Sequence, residues 1–293
     1  MSSKYEFIDA EKANYPISKM CVWAHVSKSG FYEWRNRPAS ATAERRAGLG
    51  ERIVVIFNDH DQTYGYRRIH QELCDEGIEA GVELVRSIMR SKELVSCQPR
   101  PYRVTTLADT EASGPADLCQ RDFTAPGPGE KLVGDITYIR TWAGWVYLAT
   151  VIDCYSRMVV GYAMADHMRT SLVTAALDMA RQNGDLAKGC IFHSDRGSQY
   201  TSDDLAKYLK AHRLRGSMGR TGVCWDNAMA ESFFATLKNE FVYRTVFPTR
   251  KKAIDGIAHW IEIRYNRKRR HSGIGYRTPF QAHNAYVDRN TVA

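Results

Sequence analysis

Three acidic side chains, Asp135, Asp195 and Glu231, are the residues of this 293-residue chain whose types and surroundings could do chemistry. Asp135 interrupts the apolar run LVGDITYIR, where a lone carboxylate is costly unless a cation or hydrogen bonds compensate its charge. Carboxylate oxygens, without sulfur ligands or paired histidines close by in the sequence, suit hard cations such as Mg²⁺ or Mn²⁺. Two such ions about 3.5–4 Å apart can activate an attacking hydroxyl and stabilise the leaving oxygen of a phosphodiester. Because no Ser or Cys nucleophile motif accompanies the acids, we predict metal-assisted chemistry on phosphate esters.

The stretch 226–241, DNAMAESFFATLKNEF, is predicted to be the amphipathic helix that carries Glu231. Asp226 is a suitable N-cap, and good helix formers follow it. The apolar stripe recurs at four-residue spacing: Phe233, Leu237 and Phe241. A neighbouring face combines Asn227, Glu231 and Lys238. On an isolated helix such a face is ordinarily solvated, so its assignment to the site depends on the two aspartates.

The region that contains the aspartates has the pattern of a ribonuclease H-like fold, an α/β class with a mixed five-stranded sheet and flanking helices. The elements predicted before the Glu231 helix are strands 132–140, 145–153 and 157–165, helix 170–184, strand 189–195, helix 201–213 and strand 214–218. Asp195 ends a short buried strand, the place where open α/β sheets bind ligands. Thr201 and Asp204 are predicted to form a capping box on the following helix.

The first hundred residues are predicted to be helical. Residues 16–36 are typical of a helix-turn-helix, with Ser27 as the cap of the second helix, and 43–60 of a further helix. A second pair follows at 63–77 and 82–94. Its arginines, Arg67 and Arg68 among them, suit a helix-turn-helix DNA reader. A plain helical bundle with solvated arginines is the alternative.

Composition divides the chain into five parts. The predicted parts are an N-terminal helix-turn-helix-like region 1–60, a second DNA-binding region 61–98, a linker 99–128 rich in Pro, Gly, Ala, Ser and Thr, a catalytic core 129–248, and a basic C-terminal helix and tail 249–293.

The net charge of +8 is concentrated at one end of the chain. Residues 249–293 carry 10 basic and 3 acidic side chains, which is typical of a polyanion-binding segment. The predicted DNA contacts there are Arg264, Arg267, Lys268, Arg269 and Arg270. The seven cysteines form no CxxC pair and are expected to be reduced. Without an apolar leader or membrane span, we expect a cytoplasmic protein.

Three strings resemble the motifs of the DDE transposases and retroviral-type integrases: VGDITYI at 133–139, HSDRGSQY at 193–200 and DNAMAESFFATLKNE at 226–240. The 35 residues between Asp195 and Glu231, and the lysine seven positions later, match that family's pattern. YGYRRIHQEL, VIDCYSRMVVGY and YNRKRRHSGIGYRTPFQ resemble, more narrowly, the second-frame (OrfB) product of the IS-three insertion sequences. The resemblance covers residues 16–285.

The resemblance implies a role for each matching position. The acid triad would bind two Mg²⁺ (or Mn²⁺) ions, with Asp135 bridging them. Lys238 would contact the DNA end beside the scissile phosphate, Asn227 would support Glu231 or the DNA, and Arg196 would belong to a DNA-contacting loop. His193 is either a buried core histidine or a DNA contact. Three tryptophans are expected to pack in the core or in turns rather than stack on bases: Trp142, Trp145 and Trp225.

The implied activity is transposition, by 3′-end cleavage and attack of the freed 3′-OH on target DNA. The implied partners are double-stranded DNA (terminal inverted repeats and target), the first-frame (OrfA) protein and further copies of this chain, acting at the bacterial nucleoid. A catalytically idle DNA-binding regulator is the alternative from another functional class. A ribonuclease H-type nuclease is disfavoured because it would leave the flanking helical and basic regions without a role.

Overall fold

The computed structural model describes residues 2–97, 115–184, 186–219 and 228–291. Its N-terminal part is helical, as predicted: α1 Ser2–Ala10, α2 Ile17–Trp23, α3 Lys28–Asn36, α4 Ala41–Asp59, α5 Tyr66–Asp75 and α6 Val82–Ser91. Ser27 caps α3, since its side chain accepts a hydrogen bond from the Gly30 amide. Helix α1 lies in the region 1–60 that was predicted to be helical, although no separate helix was predicted there. Its Ile8 is fully buried against α2 and α3, and α4–α6 enclose a second apolar cluster.

The central part is a five-stranded mixed sheet, which confirms the predicted fold class. Its strands are β1 Lys131–Thr141, β2 Gly144–Asp153, β3 Val159–Ala165, β4 Ile191–Ser194 and β5 Arg215–Met218. The spatial order is β3-β2-β1-β4-β5. The first three strands form an antiparallel meander, and β4 and β5 continue the sheet in parallel.

Helices cover both faces of this sheet: α7 Thr170–Gln182, α8 Asp203–Ala211 and α9 Ala228–Glu240. Helices α7 and α8 pack on one face, and α9 packs on the other with the C-terminal helices. The predicted Thr201–Asp204 capping box is wrong. Ser202 is the N-cap of α8, and its hydroxyl accepts from the Leu205 amide at 3.3 Å.

The C-terminal segment is helical but not one regular helix. It comprises α10 Arg250–His259, a π-helix Trp260–Lys268, a 3₁₀ turn Ser272–Ile274 and α11 Pro279–Thr291. Thr249 caps α10 as predicted. In the π-helix three consecutive residues are buried, and Asn266 exchanges two 3.0 Å hydrogen bonds with the backbone of Val159. The π-helix therefore holds the C-terminal segment to β3.

Among the residues that the structure describes, no helix is both long and apolar enough to cross a bilayer.

Candidate active site

The pairing of β1 with β4 places the two aspartates side by side. The parallel register runs from Lys131–Ile191 to Val133–His193, so positions 135 and 195 lie level just beyond the last paired residues. Asp135 Oδ1 accepts a hydrogen bond from the Ile136 amide at 2.7 Å, and Asp195 Oδ1 accepts one from the Gly197 amide at 3.0 Å. Among the described residues, no hydrogen bond reaches the second oxygen of either carboxylate.

Glu231 reaches the same point from α9. This helix buries Ala230, Phe233 and Leu237 against the sheet, so the predicted apolar stripe sets its rotation. Glu231 then lies on the exposed side of its first turn, close enough to Asp195 for the carboxylates to repel each other. The structure thus brings the three acids together.

Burial and the neighbouring carboxylates both disfavour ionisation of the acids. Burial raises the pKa of Asp135 to about 8, with a further contribution from Asp195, a smaller one from Glu231 and an opposing one from Lys238. Partial burial and then the Asp195 carboxylate raise the pKa of Glu231. Carboxylates that disfavour one another's charge in this way form a site for a cation, because a bound dication would offset the repulsion between them.

Lys238 lies two turns of α9 beyond Glu231. Its ammonium sits 5.3 Å from the centroid of the Tyr138 ring on β1. Partial burial lowers the pKa of Lys238, whereas the nearby Asp135 carboxylate opposes that shift. Lys238 is therefore positioned at the edge of the acid site, where it can meet a phosphate.

The loop after Asp195 is held by its side chains. Arg196 Nε donates to the Gly219 carbonyl at 2.8 Å, and Gln199 donates to the Met168 carbonyl at 3.0 Å. Arg196, predicted to touch DNA, thus ties the loop to the end of β5. The predicted contact Asn227, the cap Asp226 and Trp225 lie outside the described residues.

His193 is a buried residue rather than a surface contact. Its Nδ1 lies 2.9 Å from the Ser217 hydroxyl and 3.9 Å from Asp117 Oδ1. The potential ligand atoms of Asp117, Cys119 and His193 all lie within 4.8 Å of one another. Asp117 Oδ1, however, already accepts the amides of Cys119 and Gln120, and burial raises the pKa of the Cys119 thiol. We interpret this group as a hydrogen-bonded cluster that stabilises the segment 117–120 against β4 and β5.

Three of the five C-terminal basic residues lie in the interior, so their predicted role as DNA contacts is corrected. Arg269 makes a bidentate pair with Glu240, the last residue of α9, at 2.7–3.0 Å; both side chains are only 7% exposed. Arg270 pairs with Glu72 and Asp75 of α5 at 2.5–3.0 Å.

The third interior arginine, Arg264, bonds to the α4–α5 connection. Its guanidinium lies 3.2 Å from His60 Nδ1 and 3.3 Å from Thr63 Oγ1. Arg68 of α5 donates to the Arg270 carbonyl at 3.0 Å and lies 4.0 Å from Glu240. We call Arg264, Arg269 and Arg270 the arginine clasp, because they join the α4–α6 unit to the catalytic core.

The remaining predicted contacts are exposed. Arg67 lies over the Tyr66 ring and Arg267 over the Phe280 ring, at 5.6 and 4.4 Å from the ring centroids. Lys268 is also exposed. These three side chains are the ones of the predicted basic set that face solvent.

Sequence reasoning missed Glu240, although a signal was present. Glu240 follows Phe233 and Leu237 at helical spacing and so occupies the buried stripe of α9. An acid on an apolar stripe predicts a buried cationic partner.

Comparison with known proteins shows the family of this chain. Models described as "Integrase core domain" match residues 125–224 and 212–279, and one described as "HTH-like domain" matches 44–102. The transposase InsF of insertion sequence IS3A from Escherichia coli K12 is 38% identical over 288 residues, covering 96% of this chain and 98% of InsF. The chain belongs to the IS3 transposase family. It is a polynucleotidyl transferase of that family, with domains that indicate DNA binding.

Other proteins are also similar to this transposase in sequence or in structure. A 31 kDa protein of insertion element IS600 from Shigella sonnei is 38% identical over 260 residues, covering 89% of this chain and 96% of that protein. The HTLV-2 integrase catalytic core in complex with magnesium is 15% identical, with a TM-score of 0.42 over 54% of this chain and 98% of that one. A chain of the simian T-cell lymphotropic virus intasome is 13% identical, with a TM-score of 0.47 over 75% and 70% of the two chains.

Proposed function

We propose that Asp135, Asp195 and Glu231 together hold two Mg²⁺ (or Mn²⁺) ions and form the catalytic centre of the transposase. The observation that carries this proposal is the convergence of three carboxylates at one end of the sheet, where burial first and then the Asp195 and Glu231 carboxylates raise the pKa of Asp135 to about 8. An all-oxygen donor set suits a hard dication. Asp135, which interacts with Asp195, Glu231 and Lys238, would be one of the residues that hold the ions. Bound ions would activate the attacking hydroxyl and stabilise the leaving oxygen.

The reaction we propose has two steps on DNA. Water first attacks the phosphodiester at the element's end, and the bond to the 3′ oxygen breaks to leave a 3′-OH. That 3′-OH then attacks a phosphodiester of the target strand, whose own 3′ oxygen leaves. In both steps Lys238 binds the phosphate beside the acids, and the Asp195 loop is kept in place by Arg196.

We propose that the remaining DNA contacts are made by exposed cations. Arg67 on the α4–α6 unit and Arg267 and Lys268 beside the core face solvent and can each meet a phosphate. Asn227 is retained as a proposed contact beside Glu231. The substrates would be the terminal inverted repeats and the target duplex.

We propose further that the transposase works in an assembly, since two element ends must be handled together. A homo-oligomer on DNA and the first-frame (OrfA) protein are the expected partners. The resemblance to two-frame elements supports the second, and the DNA substrate would place the assembly in the bacterial cytoplasm, at the nucleoid.

The test compares cleavage and strand transfer by the wild type, Glu231→Gln and the matched control Asp204→Asn, an exposed acid of α8. A labelled duplex with the element's terminal repeat serves as substrate in Mg²⁺. We expect at least a hundredfold loss in Glu231→Gln, full activity in Asp204→Asn, and DNA binding in all three. Equal activity of Glu231→Gln and wild type would refute the assignment. A wild type that binds DNA but is inactive even with the first-frame protein would favour the idle regulator.

A further inference from the structure

Three aromatic rings stand exposed at the end of the β1–β2 hairpin, beside the active site. Tyr138 is 52% exposed, Trp142 78% and Trp145 44%. The expectation that Trp142 and Trp145 would pack in the core or in the turn is therefore wrong. Large rings left in solvent often mark a binding surface.

Two of the rings form a chain of contacts that begins at Lys238. Lys238 Nζ lies 5.3 Å from the Tyr138 centroid, and the Tyr138 and Trp145 rings meet edge to face at 5.2 Å and 88°. Tyr138 follows Asp135 by three residues on β1, about 10 Å along the strand, and the two side chains leave opposite faces of it. Lys238 connects them, since its ammonium interacts with the Asp135 carboxylate and lies over the Tyr138 ring. The spacing along the strand is comparable to one or two nucleotides, so a DNA strand whose phosphate lies at the acids would carry its next bases over these rings.

The hairpin that presents the rings is fixed in place. The Thr141 hydroxyl donates to the Gly144 carbonyl at 2.7 Å and accepts the Ala143 amide at 3.2 Å. The Trp142 amide donates to the Phe247 carbonyl at 3.0 Å, which attaches the turn to the segment before α10. Because these hydrogen bonds already fix the turn, binding of a base to the rings need not pay the entropy cost of ordering it.

Charge also favours a nucleotide over an apolar protein partner. Lys238 lies at one end of the ring pair, and the exposed Arg140 lies opposite Trp145 in the β1–β2 register. Two cations flanking a pair of exposed rings suit a strand in which phosphates alternate with bases. A paired base has both faces covered by its neighbours, whereas an unpaired base can stack on a ring.

We propose that Tyr138 and Trp145 form a stacking platform for an unpaired nucleotide of the DNA end, next to the scissile phosphate. The proposal rests on the proposed function and adds to it that the substrate is a splayed end rather than a fully paired one.

The test measures binding, by fluorescence anisotropy without added Mg²⁺, of two probes that share one sequence. One is a blunt duplex bearing the terminal repeat, and the other has its last few nucleotides unpaired. We expect the full-length transposase to bind the splayed probe about tenfold more tightly. Trp145→Ala and Tyr138→Ala should each lose most of that preference, whereas Tyr138→Phe, which keeps the ring, should retain it.

Controls separate the platform from other effects. Lys238→Gln should weaken both probes equally, since a phosphate contact does not distinguish them, and Phe7→Ala, an exposed ring on α1, should change neither. Asp135→Asn should keep the preference while losing catalysis, so failure of the proposed function would not be mistaken for failure of the platform. Equal affinity of the wild type for both probes, or a preference that survives in both alanine variants, would overturn the proposal.

Discussion

Asp135 carries a proton at neutral pH in the metal-free transposase, because its pKa of about 8 lies well above the ordinary value of 3.8. The folded protein then binds a proton that the unfolded chain has released, between about pH 4 and pH 8. This contribution to stability is fully present below the unfolded pKa and is lost as the pH rises through the folded one. The acid site is therefore a place where ionisation opposes folding until a cation is bound.

The free energy of unfolding should accordingly fall with rising pH in EDTA, by about 2 kcal/mol or more from this site. Asp135→Asn removes the ionisation, so the variant should be more stable than wild type at pH 8 and less different at pH 5. Denaturant unfolding at both pH values, with and without Mg²⁺, measures this. A parallel pH dependence of the two proteins would contradict the pKa assignment. Addition of Mg²⁺ should stabilise the wild type more than the variant.

Individual residues of the candidate site are the features that the sequence predicts best. The acids could be predicted because a carboxylate in an apolar strand is a local feature, and because the 35-residue interval matches the pattern of a known family. The partner of each arginine could not be predicted, because Arg270 pairs with Glu72, which is 198 residues away in the sequence. A basic run such as RKRR looks the same whether it faces DNA or buried carboxylates.

At the scale of elements, α9 is the part on which the site depends, because it carries Glu231, Lys238 and Glu240. Its first turn faces the aspartates and its last residue is paired with Arg269 in the interior. The buried pair thus fixes the end of the helix at a distance from the chemistry. The apolar periodicity predicted this helix well, whereas it did not predict that the C-terminal helix changes to a π-helix, whose burial depends on Val159 of a distant strand.

Removing one partner of this pair should be costly. Glu240→Gln leaves the Arg269 guanidinium buried without its counter-charge, and we expect a loss of about 3–5 kcal/mol in the free energy of unfolding. Glu83→Gln, which breaks an exposed pair with Arg86, is the matched control and should change stability by less than about 1 kcal/mol. Urea unfolding of both variants gives the comparison. Similar small effects in both would show that the Glu240–Arg269 pair is not a determinant of the position of α9.

For the whole molecule, the arginine clasp changes the expected role of the C-terminus. Residues predicted to bind DNA instead connect the helical α4–α6 unit to the core, and Tyr64 adds to the connection by donating to the Lys268 carbonyl and accepting the Arg270 amide, both at 2.9 Å. The excess charge of the segment was visible in its composition, but composition does not show which charges are buried. A rigid connection of this kind would hold the DNA reader at a fixed place relative to the acids.

Without the arginine clasp, the α4–α6 unit should unfold at a lower temperature than the catalytic core. In Arg264→Ala/Arg270→Ala the α4–α6 unit loses its ion pairs with the C-terminal segment, so we expect a second, lower-temperature transition in calorimetry. Arg267→Ala/Lys268→Ala removes two exposed charges from the same segment and should leave the unfolding profile unchanged. A single transition at the wild-type temperature in the clasp variant would contradict this role.

Asp135, Asp195 and Glu231 are proposed to form one metal centre. The most direct test counts Mn²⁺ ions bound per chain by electron paramagnetic resonance, on the transposase with its terminal-repeat duplex. We expect two ions on the wild type, a loss of at least one on Asp135→Asn, and no change on Asp117→Asn, whose carboxylate belongs to the hydrogen-bonded group beneath β4. Equal Mn²⁺ binding by wild type and Asp135→Asn, or loss on Asp117→Asn instead, would contradict the claim.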